Sequence, residues 1–236
     1  MATRQIRFAL AIVALAVAAG CSKTSTKQGD QVDATLVQQL AKRVERLEDM
    51  LAIQKLQAKY ANYLFTQRYD EIFDELYAQK NPDVSVEFSD SGVYRGPDSV
   101  RALYKAFDVT RKIPGFFLMH MTVDPYIEIA ADGRSARSQW LSPGITGSNT
   151  SAGWVFGPYY VDYVKEDGQW RILHSNLAPI VRTRFGISWA EATDNGTVRG
   201  VLPVQPDAPS TLYRPYAQRK KETDIFRDFP PLPKSY

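Results

Sequence analysis

Residues 117–140 read FLMHMTVDPYIEIAADGRSARSQW. Side chains alternate here with the strand period of two, and Asp132-Gly133 is a two-residue hairpin signal because both positions tolerate positive φ. The spacing predicts strands over about 116–130 and 134–146. Two further runs, about 152–165 and 169–182, meet at a second such turn, Asp167-Gly168. Four long strands in succession make an antiparallel meander. On its first strand His120 shares a face with Leu118 and Thr122, whereas Phe117, Met119 and Met121 point the other way.

Upstream the period lengthens. Val37, Leu40, Val44, Leu47 and Leu51 repeat at alternating spacings of three and four, a helical stripe that resembles a brief coiled coil and leaves a homodimer open. The stripe runs on through Leu56, Tyr60, Tyr63 and Leu64, predicting one long helix, or two joined at a bend, to about Thr66. A second helix, about 69–78, carries Ile72, Phe73, Leu76 and Tyr77 on one face, and Asn81-Pro82 closes it. VSVEFS (84–89) and GVYRG (92–96) read as a short hairpin. Pro97 then opens a helix whose buried stripe is Val100, Leu103, Tyr104 and Phe107. Helices, hairpin, helix and meander in that order give an α+β fold, with helices layered on one face of a strongly curved sheet.

The two ends read differently from this middle. MATRQIRFALAIVALAVAAGCSK has Arg4 and Arg7, an apolar run from Phe8 to Ala19 and small residues before Cys21, the pattern of a secretion signal. The run is shorter than the roughly 20 residues that span a bilayer. AAGC resembles the lipobox of bacterial lipoproteins, which implies cleavage before Cys21 and its lipidation. With Ser22 next, that resemblance points to the outer membrane of a Gram-negative cell envelope. The expected divisions are a signal peptide (1–20), the lipidated Cys21 with a polar tether and the start of a helix (21–43), one domain (44–190) and a Pro-rich extension (191–236). The extension ends DFPPLPKSY and reads as an arm wrapped on its own domain or hanging loose, with a docking tail as the alternative.

Composition excludes several functions. Lys and Arg number 29 against 26 Asp and Glu, and loss of residues 1–20 would take Arg4 and Arg7, leaving a nearly neutral chain with no sign of a nucleic-acid surface. The single cysteine, assigned to lipid, permits no intramolecular disulfide. With only His120 and His174 and no HExxH motif, no histidine-rich metal site is expected, and no cofactor.

Four blocks carry a family resemblance: RVERLEDMLAIQKLQAKYANYLFTQRYDEIFDEL (43–76), GVYRGPDSVRALYKAF (92–107), residues 117–140 above, and DGQWRILHSNL (167–177). In this order they look like a SnoaL-like domain, of the superfamily named for nuclear transport factor two, over about residues 44–189. The resemblance implies a cone, a bent antiparallel sheet wrapped around about three N-terminal helices, with an apolar pocket at one end. Similar proteins include scytalone dehydratase, polyketide cyclases, steroid isomerases and bile-acid dehydratases, and many without demonstrated chemistry. In the dehydratases a carboxylate ends the first helix and strand histidines move the proton. Here the carboxylate position falls on Phe65 and its tyrosine neighbour on Leu64. The strand histidine is matched by His120, a second one near residue 145 is absent from SPGITG, and a polar position falls near Tyr159. Phe65 transfers no proton, and Asp70 reads as a cap at the start of the next helix.

The resulting candidates are His120 as general base and Tyr60 as hydrogen-bond donor, with Tyr63, Phe65, Tyr104, Trp140, Tyr159, His174 and Asn176 lining the pocket. Against each stands a plainer reading: helix aromatics three and four apart are usually core, and a strand histidine can simply bond a backbone carbonyl. The expected function is a lipid-anchored envelope protein that binds a small apolar oxygenated molecule, with dehydratase- or isomerase-type proton transfer as its chemistry if it has any. The alternative is a non-catalytic envelope interaction module.

Overall fold

The computed structural model describes residues 33–191, 203–212, 214 and 216–236. The signal, Cys21, the tether and the first part of the C-terminal extension lie outside the described residues. The chain divides into a short unit, Met1–Gln39, whose described part is the beginning of a helix, and a second unit, Leu40–Tyr236, which holds the elements that follow.

Helix α1 (Ala34–Phe65) is one helix of 32 residues, because no glycine or proline interrupts a stretch rich in Ala, Leu, Gln, Lys and Glu. It buries Asp49, Ile53, Gln57, Tyr60, Tyr63 and Leu64. It ends where Gln67 turns left-handed at φ 58° and the Arg68 amide reaches back to the Tyr63 carbonyl at 2.8 Å. Helix α2 (Tyr69–Leu76) buries Tyr69, Ile72, Phe73 and Leu76. The hairpin of β1 (Ser85–Phe88) and β2 (Gly92–Arg95) leads into α3 (Gly96–Ala106), opened by Pro97, and a short 3-10 helix, Phe107–Lys112.

The meander is more broken than its sequence period suggests. The first expected strand is two, β3 (Phe117–His120) and β4 (Val123–Ile129), parted at Met121 and Thr122; within β4, Asp124 takes a positive φ of 49° ahead of Pro125 and shifts the register against β5. After β5 (Ser135–Gly147) and β6 (Ala152–Glu166), the last expected strand is again two, β7 (Gln169–Leu177) and β8 (Val181–Arg184), parted at Pro179. β3 and β4 both pair with β5, and β7 and β8 both pair with β6. Two long central strands with broken partners curl the eight-stranded sheet of the described residues into a half-barrel around the helices. One pairing, β1 with β7, is parallel rather than antiparallel.

Rings fill most of the interior: Tyr60, Tyr69, Phe73, Tyr77, Tyr104 and Tyr159 are all within 1 % of full burial. The C-terminal extension wraps its own domain. Val93 and Ala208 bridge, and the Asp207 carboxylate accepts from the Arg95 amide at 2.7 Å and from Ser99 at 2.6 Å. Near its end a short helix, α4 (Tyr216–Arg219), buries the Arg219 guanidinium against the carbonyls of Arg214 and Ile225.

Candidate active site on the concave face

Strand pairing sets the site in rows across the sheet. His120 on β3 pairs with Gly144 on β5, Gly144 with Val155 on β6, and Val155 with Arg182 on β8. Directly paired residues share a face, so His120 and Arg182 stand in one row with a glycine beside the histidine. The His120 ring lies over Gly144: a Cβ there would sit 2.9 Å from Nδ1. Ser142, two residues before Gly144 and so on the same face, is buried, and the row beyond carries Trp140 opposite Tyr159.

Arg182 pairs with Asp90, whose side chain is fully buried in the turn between β1 and β2. This is an inward carboxylate that sequence reading did not find. SDSG at 89–92 reads as an ordinary solvated turn, and the partner that draws Asp90 inward is far away in sequence, beyond the Pro179 break. The Arg182 charge acts on both His120 and Tyr159, and the Asp90 charge on Tyr159.

These surroundings fix protonation. His120 is 5 % exposed, and burial together with the Arg182 cation lowers its pKa to about 3, so its ring is neutral at ordinary pH. Burial also pushes the phenols of Tyr60, Tyr104 and Tyr159 well above their usual range, keeping them protonated. Among the buried polar atoms without a hydrogen-bond partner in the described residues, three belong to this row and its neighbours: His120 Nδ1, Ser142 Oγ and Asp90 Oδ1. Buried polar atoms are nearly always bonded, so these three give this row unmet hydrogen-bonding capacity.

The remaining candidates are distributed more widely. Tyr60 accepts from the Tyr104 hydroxyl at 3.2 Å, Tyr104 bonds Tyr77 at 2.7 Å, and Tyr77 bonds Ser175 at 2.7 Å. This buried chain is satisfied internally and reads as core. Trp140 donates to Ser138 at 2.6 Å and to Tyr163 at 3.2 Å. Tyr63 turns toward the outer surface of α2, donating to Glu75 at 2.6 Å, and Phe65 is 44 % exposed.

His174 and Asn176 are on the convex side. A register shift between Asp162 and Tyr163 leaves Leu173 unpaired, so Ile172 and Ser175 face inward while His174 bonds Asp162 at 3.1 Å and Asn176 accepts from Ser89 at 2.8 Å. Unbroken alternation would place Ile172, His174 and Asn176 on one face. A separate groove of about 480 Å³ runs between α1, α2 and β7, but its Lys59, Glu75, Asp49, Trp170 and Arg171 bond within the protein. Among the described residues no group of three or more His, Cys, Asp and Glu side chains is placed to hold a metal.

Comparison with known proteins agrees with this architecture. A profile of the SnoaL-like domain matches residues 45–176. A solved structure of a candidate scytalone dehydratase from Novosphingobium aromaticivorans DSM 12444 is similar at TM-score 0.52 and 19 % identity, over 62 % of this chain and 93 % of that one. The type-3 hexachlorocyclohexane dehydrochlorinase LinA from Novosphingobium barchaimii LL02 is similar at TM-score 0.51 and 16 % identity, over 61 % of this chain and 96 % of that one. At these identities the likeness is one of fold.

Proposed function

Because the chain belongs to the SnoaL-like domain family, a fold suited to holding small molecules, we propose that its concave face binds a small, largely apolar, oxygenated molecule between His120 and Arg182. The observation that carries this reading is the trio of buried, unpartnered polar atoms on and beside the His120–Arg182 row, His120 Nδ1, Ser142 Oγ and Asp90 Oδ1. An apolar ring system fits the Trp140, Tyr159 and Val155 surface, and its oxygen takes hydrogen bonds from Ser142 and from the His120 ring. Calorimetric titration with steroids, aromatic polyketides and phenolics tests this. Binding by the wild type and at least tenfold weaker binding by His120→Gln is the expected result. Silence across the panel, with the fold intact, counts against it.

A second reading, cofactor-independent proton transfer of the lyase or isomerase type, draws on the neutral imidazole. His120 is free to accept a proton, but burial and Arg182 make it a weak base, so the ligand must bring negative charge that offsets Arg182. Deuterium exchange into a bound ligand in heavy water, lost in His120→Gln, separates turnover from binding. We further propose that the domain is held at the cell envelope by lipid on Cys21. Fatty-acid labelling that vanishes in Cys21→Ser tests the anchor independently.

A further inference from the structure

α1 has two apolar faces, and the domain uses one. Ile53, Tyr60 and Leu64 pack onto the sheet, whereas Leu40, Val44, Leu47 and Leu51 lie roughly 180° around the helix at 3.6 residues per turn. Those four are exposed at 47 %, 52 %, 60 % and 53 %. Their spacing of four, three and four is the seam of a coiled coil, with Val44 and Leu51 at a positions and Leu40 and Leu47 at d. Val37 precedes Leu40 by three in the sequence, continuing the pattern. A β-branched residue at a with leucine at d favours two parallel strands.

The flanking charges choose the partner. In this register Arg43 is a g position and Glu48 is the e position five residues later, the pair that meets across a parallel two-stranded seam. Neither forms an ion pair among the described residues. In a second copy aligned in parallel and in register, Arg43 faces the partner's Glu48 on both sides of the seam. A lipid surface would select a basic polar face, whereas the positions flanking the stripe are of mixed sign, Arg43 on one side and Glu48 on the other. We propose that α1 pairs with α1 of a second copy of this chain as a parallel, in-register coiled coil, carrying one domain on each outer side.

Sedimentation equilibrium of the full chain in mild detergent tests this. The wild type is expected to be dimeric and Leu47→Glu monomeric, with unchanged circular dichroism because Leu47 is exposed. Arg43→Glu should weaken the dimer by about tenfold, and Arg43→Glu with Glu48→Arg should restore it to within a few-fold. Leu47→Cys, in a Cys21→Ser background, should oxidise to a disulfide dimer, since facing d positions meet only in parallel register. A monomeric wild type, a dimer that survives Leu47→Glu, or a double exchange that does not restore association would overturn the proposal. So would a monomer whose vesicle binding falls with Leu47→Glu, which assigns the stripe to lipid.

Discussion

His120 owes its neutrality to burial and to Arg182, and this has a measurable sign. Its folded pKa of about 3 lies below the unfolded value of about 6.5, so between the two the unfolded chain binds the extra proton and stability falls as pH falls. The slope approaches about 1.4 kcal/mol per pH unit. Urea denaturation at pH 7, 6 and 5 should show His120→Gln losing less stability over that range than the wild type; parallel slopes would mean the ring is solvated. His174 works in the opposite direction. Its hydrogen bond to Asp162 raises the pKa, so the stabilisation is present below about pH 6.5 and disappears as pH rises through the folded value. With 41 % of the side chain exposed the effect is small, and Asp162→Asn removes it. His120 was legible because period-two alternation fixes which way a strand residue faces. Asp90 was not, because nothing local in SDSG announces a buried charge. Replacing Arg182 with Met strands that carboxylate and is expected to cost about 3–5 kcal/mol, which Asp90→Asn in the same chain partly returns in chemical denaturation.

Among the elements, the long helix was plain from its composition, and the strand breaks were not. Pro179, already visible in the sequence, divides a strand that period alone reads as continuous and lets β8 swing Arg182 onto the concave face, whereas Pro125 sits inside β4 at its register shift against β5. The bulge at Leu173 is a matter of register between β6 and β7, set by long-range pairing, and it moved His174 and Asn176 to the other side. The helix is anchored by Asp49, which takes hydrogen bonds from Trp170 at 2.8 Å and Lys165 at 2.8 Å. Asp49→Ala leaves both donors without that acceptor and is expected to lower stability by about 2 kcal/mol, read as a shift of the urea midpoint. If α1 were held by apolar contact alone, the midpoint would hardly move.

For the molecule as a whole, the half-barrel holds a satisfied aromatic core at one end and an unsatisfied polar cluster near His120, and the C-terminal extension closes the sheet at β2. That strand is an edge: its other side would present bare amides to any passing strand. Residues 207 and 208 cover it, with the Val93 amide donating to Ala208 and the Asp207 amide to Val93, both at 2.9 Å. Gly92 is the residue that permits this, because a side chain there would meet Pro206 and the Ala208 carbonyl at 2.7 Å. Further along, the Glu87 carboxylate collects the Ser210 hydroxyl at 2.7 Å and the Thr211 amide at 2.8 Å. A Pro-rich tail leaves wrapping and docking open in the sequence, since polyproline geometry is the same in either role. Deleting residues 203–236 should therefore do two things that losing a loose tail would not. The urea midpoint should fall by an amount equivalent to about 3 kcal/mol or more, from several lost hydrogen bonds at about 1 kcal/mol each. Light scattering should also rise with protein concentration as the uncovered β2 edges pair. Asp207→Ala alone, which keeps the Val93 bridge, should lower the midpoint without the scattering. A deletion that leaves both readings at wild-type values would make the extension a passenger and return it to the docking role.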